Sequence, residues 1–245
     1  MTAARGGPPG RSGPSPALVA AAAHVFVDDL ESPALEDDDA HHLGRVLRLR
    51  DGEAVTACDG AGRWRACRFV RGSLDVDGDV VSVPGPAFAV SVAFAVPKGD
   101  RPELIVQKLT EVGADVVVPM TTARTVVRWD AERARRNVER LRRVAREAAM
   151  QSRRVRLPLV DALHEVGTVV SRPGAVLAAP GGAPMPLDGG APALVLIGPE
   201  GGWTEAELVA APATVNLGEQ VLRAETAAIV ACTLLVAARA RSLEV

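Results

Sequence analysis

The feature that most constrains this chain is a change of pattern at residues 84–87, PGPA. Beyond it, short apolar runs alternate with helical patterns. AVSVAFAV leads into PKGDRPELIVQKLTEVGA, where Leu104, Ile105, Lys108, Leu109 and Val112 recur with a 3.6-residue period. DVVVPM follows, then a long arginine-rich helix over residues 130–152. VRLPLV, a helix near DALHEVG, strands GAVLAAP and ALVLIG, a helix from Thr204, strand TVNLG and a last helix from about Glu225 to Arg241 complete the series. Strands alternating with helices predict a mostly parallel α/β sheet, because each helix carries the chain back to the edge where the next strand starts.

Ahead of the boundary the pattern is all strand. HVFV, EAVTACD, WRACRFV and DVVSV are separated by the turn signals Asp51-Gly52, Asp59-Gly60, Arg71-Gly72 and Asp77-Gly78. This spacing predicts a small β-barrel of roughly sixty residues, with a helix over LEDDDAHHLGRVL. Residues 1–16, rich in Gly, Pro, Ser and Arg, read as a disordered tail. The expected division is a tail at 1–16, a barrel at 17–85 and an α/β domain at 86–245.

Several function classes drop out. The three cysteines form no C-x-x-C pair and the four histidines show no ligand spacing, so neither a disulfide framework nor a metal site is expected, and a cytoplasmic protein is. The longest apolar runs, residues 17–27 and 227–238, fall short of the roughly 18 to 20 residues of a membrane span. The first resembles a weak signal peptide, but His24 interrupts it and acids follow directly.

The net charge of −2 conceals an asymmetry: residues 121–156 carry 12 Arg against 4 acids. Helical spacing gives Arg136, Arg140, Arg143 and Glu147 a common face, a pattern that suits phosphate contacts and equally suits a solvated helix. Arginine is also this chain's ordinary cation, with Lys98 and Lys108 the only lysines. His41, His42, Arg45, Arg48 and Arg50 form a second basic group. With no Tyr, three Trp and four Phe, any RNA binding must rest on arginine and phosphate rather than on aromatic platforms.

Two loops end strands and open helices. In LVLIGPEGGWTEAEL, residues 194–208, the order strand, glycines, helix suggests a phosphate cradle, but the details argue otherwise. No Lys follows the glycines, Pro199 removes an N–H donor, and Glu200, Glu205 and Glu207 crowd the place an anion would take. Thr204 and Glu207 make a capping box that satisfies the helix from within. What remains is a plain turn or a backbone wall for a neutral or cationic ligand. In LGEQVLRAETA, residues 217–227, Arg223, Glu225 and Thr226 sit where a strand-end loop meets a helix. The two loops can line one crevice, since ligands of open α/β sheets bind at the carboxyl ends of strands. Arg223 and Glu225 can also be an ordinary surface ion pair.

Taken in order, VLRLRDGE, PKGDRPELIVQKLTEVGA, EAAMQSRR, LIGPEGGWTEAEL and LGEQVLRAETA resemble the RsmE family, bacterial 16S rRNA uridine N3-methyltransferases of the SPOUT superfamily. The resemblance runs from about His24 to Arg239. It implies a PUA-like barrel for RNA recognition followed by an α/β domain with a trefoil knot, a homodimer, S-adenosylmethionine as cofactor, and a uridine of small-subunit rRNA near the decoding region as substrate. By position it implies cofactor contacts from Leu196, Ile197, Gly198, Pro199, Glu200, Gly201 and Gly202, and from Leu217, Gly218, Val221, Leu222, Arg223 and Thr226. Arg48, Lys98, Arg101, Arg124, Arg143, Gln151 and Arg154 are the expected RNA contacts. Arg223, then Arg154, is expected to stabilise the developing uracil oxyanion, and Glu225 to orient Arg223 or act as base. Trp203 stands where Phe is common and Gln220 where a basic residue is common. Ribose 2′-O methylation and a non-catalytic role in ribosome assembly remain the alternatives.

Overall fold

In the computed structural model, which describes residues 15–187 and 190–242, the first sheet grows from the short runs between glycine turns. A short helix α1 (Pro16–Ala20) precedes strand β1 (Ala23–Phe26). Helix α2 (Asp37–His41) passes into a π-helical turn at His42–Val46, so the single predicted helix is really two pieces. Strands β2 (Ala54–Cys58), β3 (Arg63–Val70), β4 (Ser73–Val76) and β5 (Val81–Ser82) follow. β1 lies parallel to β2, and the remaining pairs are antiparallel in the order β1-β2-β3-β4, with β5 against β3. Among the described residues β1 and β4 do not pair with each other. The predicted strand DVVSV shrinks to two exposed residues, whereas SLDV forms β4 with only Leu74 buried, too weak an alternation to read from sequence.

The second sheet follows the expected alternation. Its elements are β6 (Ser91–Ala95), α3 (Arg101–Val112), β7 (Val116–Thr121), α4 (Ala131–Gln151), β8 (Leu159–Val160), β9 (His164–Glu165), α5 (Val166–Val170), β10 (Ala175–Pro184), β11 (Leu194–Ile197), α6 (Glu205–Ala210), β12 (Thr214–Asn216) and α7 (Ala224–Arg241). All pairings are parallel, in the order β12-β10-β11-β6-β7-β8, with β9 also on β7. The helix expected over DALHEVG starts only at Val166, because His164 and Glu165 extend along β7. Asp130 caps α4 by accepting from the Arg133 N–H at 2.8 Å.

Apolar residues cover both faces of the strands. On one side Ile105, Leu109, Leu141, Ala228 and Leu235 of α3, α4 and α7 pack on Val92, Phe94, Val117 and Val195. On the other, Met120, Val169, Leu177 and Trp203 close a second cluster. Burial on both faces explains why these strands are continuous apolar runs rather than alternating ones.

The two sheets meet at the end of α4. Arg146 donates to Asp39 and, at 3.3 Å, to the Phe26 carbonyl. Arg153 reaches the carbonyls of Ala21 and Ala22, and Arg156 those of Ala61 and Val83. His24, 2% exposed, donates through Nε2 to the Arg154 carbonyl at 2.9 Å and accepts from the Thr56 hydroxyl at Nδ1. Arginines expected to face a polyanion therefore join the two halves of the chain.

Candidate active site at the strand ends

Because the strands are parallel, the segments after β6, β7, β10, β11 and β12 gather at one end of the sheet. β11 delivers Leu196 and Ile197, both fully packed in the core, to the GPEGG loop. There Gly198 passes so close to Trp203 that a Cβ would lie 2.9 Å from its ring. The indole is buried, and its Nε1 donates to the carbonyl of Ala178, the β10 residue at which the register against β12 shifts, at 2.8 Å. Arg124, from the segment after β7, donates to the carbonyls of Gly201 at 2.8 Å and Trp203 at 3.1 Å. The capping box is present as expected: Glu207 accepts from the Thr204 N–H, and its other oxygen accepts from the Ala123 N–H at 2.9 Å. Burial pushes the Glu207 carboxyl up, but these backbone donors outweigh it and hold it below the usual range. The loop is thus fixed by neighbouring elements, with the carbonyls of Gly201 and Trp203 taken by Arg124 and the Gly202 N–H by the Pro199 carbonyl.

The second loop stands beside it. Leu217 and Leu222 pack against the main core, whereas Val221 is 89% exposed. Arg223 is the N-cap residue of α7, lies exposed and has no ion-pair or hydrogen-bond partner for its side chain among the described residues. Glu225 does not orient it. The nearest cation to the Glu225 carboxylate is Arg101, with Nη1 4.0 Å from Oε2, and Arg101 also bonds Glu200 of the GPEGG loop. Glu225 Oε2 is buried and receives no hydrogen bond from the chain. The Arg101 guanidinium is flanked there by two carboxylates, and Lys98 and Arg223 bring further positive charge to the same strand ends.

The expected RNA contacts divide. Lys98 is exposed in this same region, and Arg143 is exposed on α4 with no side-chain partner among the described residues. Arg48 is exposed after the π-turn with φ 55°. Arg101 and Arg124 are engaged within the loops, as just described. Gln151 and Arg154 lie at the far end of the sheet, since Arg154 donates to the carbonyls of Thr110 at 2.9 Å and Ala114 at 2.7 Å and sits 3.5 Å from Asp115, where β7 begins. A six-residue strand, roughly 20 Å, separates that end from the two glycine-bearing loops. Arg154 is therefore not the second catalytic arginine of this protomer but a buried structural one; burial lowers its pKa and Asp115 opposes the shift. On the expected arginine face, Arg136 pairs with Glu132 and Arg140 with Glu103.

Sequence reasoning missed one segment. β10 runs on through Pro180, Gly181 and Gly182, and its register against β12 shifts between Ala178 and Ala183. A Cβ on Gly182 would lie 2.7 Å from the Val215 backbone. This bulge forms a third wall beside the two loops. The Pro-Gly-Gly run was its visible signal, readable as a bulge inside a strand.

Comparison with known proteins matches residues 84–236 to the RNA methyltransferase domain and residues 35–74 to the RNA methyltransferase PUA domain. Ribosomal RNA small subunit methyltransferase E of Mycobacterium bovis is 36% identical over 220 residues, covering 80% of this chain and 83% of the relative. Its namesake from Bacillus subtilis is 29% identical over 232 residues, covering 84% and 90%. Among solved structures, ribosomal RNA small subunit methyltransferase E from Neisseria gonorrhoeae, bound to S-adenosyl methionine, superposes with a TM-score of 0.75 at 25% identity, covering 87% of this chain and 96% of that one. A probable rRNA-methyltransferase from Porphyromonas gingivalis gives 0.72 at 29% identity, with 89% and 99% covered. With a PUA-like unit ahead of a parallel α/β domain, and with relatives this similar along most of its length, the chain belongs to the ribosomal RNA small subunit methyltransferase E family.

Proposed function

We propose that this chain is an S-adenosylmethionine-dependent methyltransferase of 16S rRNA in the small ribosomal subunit, acting in the cytoplasm, and that the atom it methylates is N3 of a uridine near the decoding region. The observation that carries the reading is the meeting of Arg223, Glu225 and two backbone-lined loops at one end of the sheet.

The residues present suit the cofactor. Leu217 and Leu222 offer apolar walls, the backbone of 198–202 and 217–222 offers donors and acceptors, and Glu200 and Glu225 bring two carboxylates to the same corner. When bound, the cofactor supplies an electrophilic methyl group: the N3 lone pair forms the new N–C bond while the C–S bond breaks and its electron pair stays on sulfur. The chain's own task is then positioning and proton handling. In this reading Glu225, whose Oε2 accepts no hydrogen bond among the described residues, takes the N3 proton. Arg223, whose side chain has no partner among the described residues, donates to the uracil oxygen on which negative charge grows. The base must leave its stack to reach them.

Lys98, Arg48 and Arg143 serve as phosphate contacts in this reading, with the unit up to residue 85 as the RNA-recognition domain. A homodimer is part of it. Between Glu225 and Arg239, α7 carries no charge, and Thr226, Ile229, Val230, Thr233 and Ala237 leave an uncharged, partly exposed stripe for a second copy. The return of β12 past β11 to the outer side of β10 is the strand order through which a trefoil knot would thread.

Mass-spectrometric mapping of small-subunit rRNA treated with the enzyme tests the reading. A methyl group on uracil N3 is expected, and one on a ribose oxygen overturns it. Arg223→Ala is expected to abolish methylation with an unchanged unfolding curve; an active variant removes Arg223 from its role.

A further inference from the structure

We infer that Arg101 is a positioning residue of the methyl-transfer site, which holds the Glu225 carboxylate in place from across three strand-end segments, and that it does not bind RNA phosphate. The inference rests on the reading of Glu225 as proton acceptor.

Arg101 opens α3, directly after the β6 strand end. Its Nε donates to the Lys98 carbonyl at 3.1 Å, which folds the side chain back over its own loop. Its Nη1 bonds the Glu200 carboxylate of the GPEGG loop and lies 4.0 Å from Glu225 Oε2 at the start of α7. One guanidinium thus ties the segments after β6, β11 and β12 together. The exposure of the three side chains is graded: Glu200 50%, Arg101 33%, Glu225 15%. Glu200 screens the arginine on the solvent side, and Glu225 sits on the interior side. A phosphate approaching Arg101 would meet Glu200 first, and the arginine's charge is already matched by two carboxylates. The 4.0 Å separation matters too. It is close enough to fix the carboxylate by charge and too long for a hydrogen bond, so Oε2 keeps its lone pairs for the ligand.

The test compares Arg101→Gln, Arg101→Lys, Glu200→Gln and Glu225→Gln in the full chain, using purified small subunits as substrate. For Arg101→Gln, kcat is expected to fall about 10- to 100-fold, part of the 10²- to 10⁴-fold that a positioned base contributes. The calorimetric Kd for S-adenosylmethionine should stay within about threefold and the slope of log K for RNA against log salt should not change. Arg101→Lys should recover most of the loss, because an ammonium still holds Glu225 by charge. Glu200→Gln, which leaves the Arg101–Glu225 pair intact, should lose less than Arg101→Gln. A salt slope smaller by about 0.7 to 0.9 with kcat unchanged would make Arg101 a phosphate contact and overturn the inference. Glu200→Gln as damaging as Arg101→Gln would overturn it too, since pinning of the loop would then suffice. An active Glu225→Gln enzyme refutes the reading of Glu225 itself; an inactive one beside a fully active Arg101→Gln refutes the role of Arg101 alone.

Discussion

Gly198→Ala places one methyl group against the most crowded contact of the two strand-end loops. Its Cβ would lie 2.9 Å from Trp203 Cε2 and 3.2 Å from both Cζ2 and Nε1. The indole has no easy retreat, because it is 9% exposed, sits in the second core cluster and is anchored at 2.8 Å to the Ala178 carbonyl. Overpacking of this kind costs about 1–3 kcal/mol, and a displaced indole forfeits a hydrogen bond worth about 1 kcal/mol more. The expected loss is about 2–4 kcal/mol, a drop in Tm on the order of 10 °C for a chain of this size. Urea unfolding reads the stability, and calorimetric titration with S-adenosylmethionine reads the displaced loop as weaker binding. A smaller ring should relieve the clash, so Gly198→Ala with Trp203→Phe should cost at least about 1 kcal/mol less than the sum of the two single changes. A Gly198→Ala protein within about 0.5 kcal/mol of wild type, or strict additivity in the double variant, would refute the contact as the reason for glycine here.

Other predictions concern residues whose expected roles moved. Arg154→Met should destabilise by about 3–5 kcal/mol in urea unfolding, by stripping two buried carbonyls and Asp115 of a partner, while the folded fraction keeps its affinity for S-adenosylmethionine. Burial, aided by the nearby Arg153 charge and opposed by the Arg154 carbonyl, lowers the His24 pKa to about 4. Between pH 6.5 and about 4 the unfolded chain takes a proton that the folded chain refuses, so about 3 kcal/mol of stability should disappear as the pH falls through that window. His24→Gln should flatten this slope in a pH series of unfolding curves. Arg143→Ala should reduce the salt slope of rRNA binding by about 0.7 to 0.9, whereas Arg146→Ala should leave the slope alone and lower stability through the lost Asp39 contact.

The α/β half was legible because its strands are apolar on both faces and its helices keep a 3.6-residue period; β7 and α4 fall within a residue of expectation, while α3 starts four residues later than expected. The capping box at Thr204 was legible for the same local reason. What failed was anything decided between distant elements. The sequence shows how many arginines lie between 121 and 156, but not that Arg146, Arg153 and Arg156 serve carbonyls and carboxylates of the first sheet. Nor does it show that Glu225 faces Arg101, 124 residues earlier, rather than Arg223 two residues before it. At a helix start, two residues of separation point side chains to different faces, so nearness in sequence misled. The bulge at Gly182 was missed because its cause, the Val215 backbone, lies on another strand.

The joint between the two sheets has a consequence for how such a protein can diverge. On the first sheet's side, the carbonyls of Ala21, Ala22, Phe26, Ala61 and Val83 receive the arginines, and Gly60 and Gly62 pair with Leu157 and Val155 through main-chain bonds. Main-chain groups survive almost any substitution. Apart from His24 and Asp39, whose side chains also join the two halves, the side chains of the N-terminal unit can therefore change widely while the angle at which it is presented stays fixed by a few arginines elsewhere. Substrate preference is then open to transplantation: a foreign surface grafted onto β1–β5 should inherit the docking pose without any redesign of the seam.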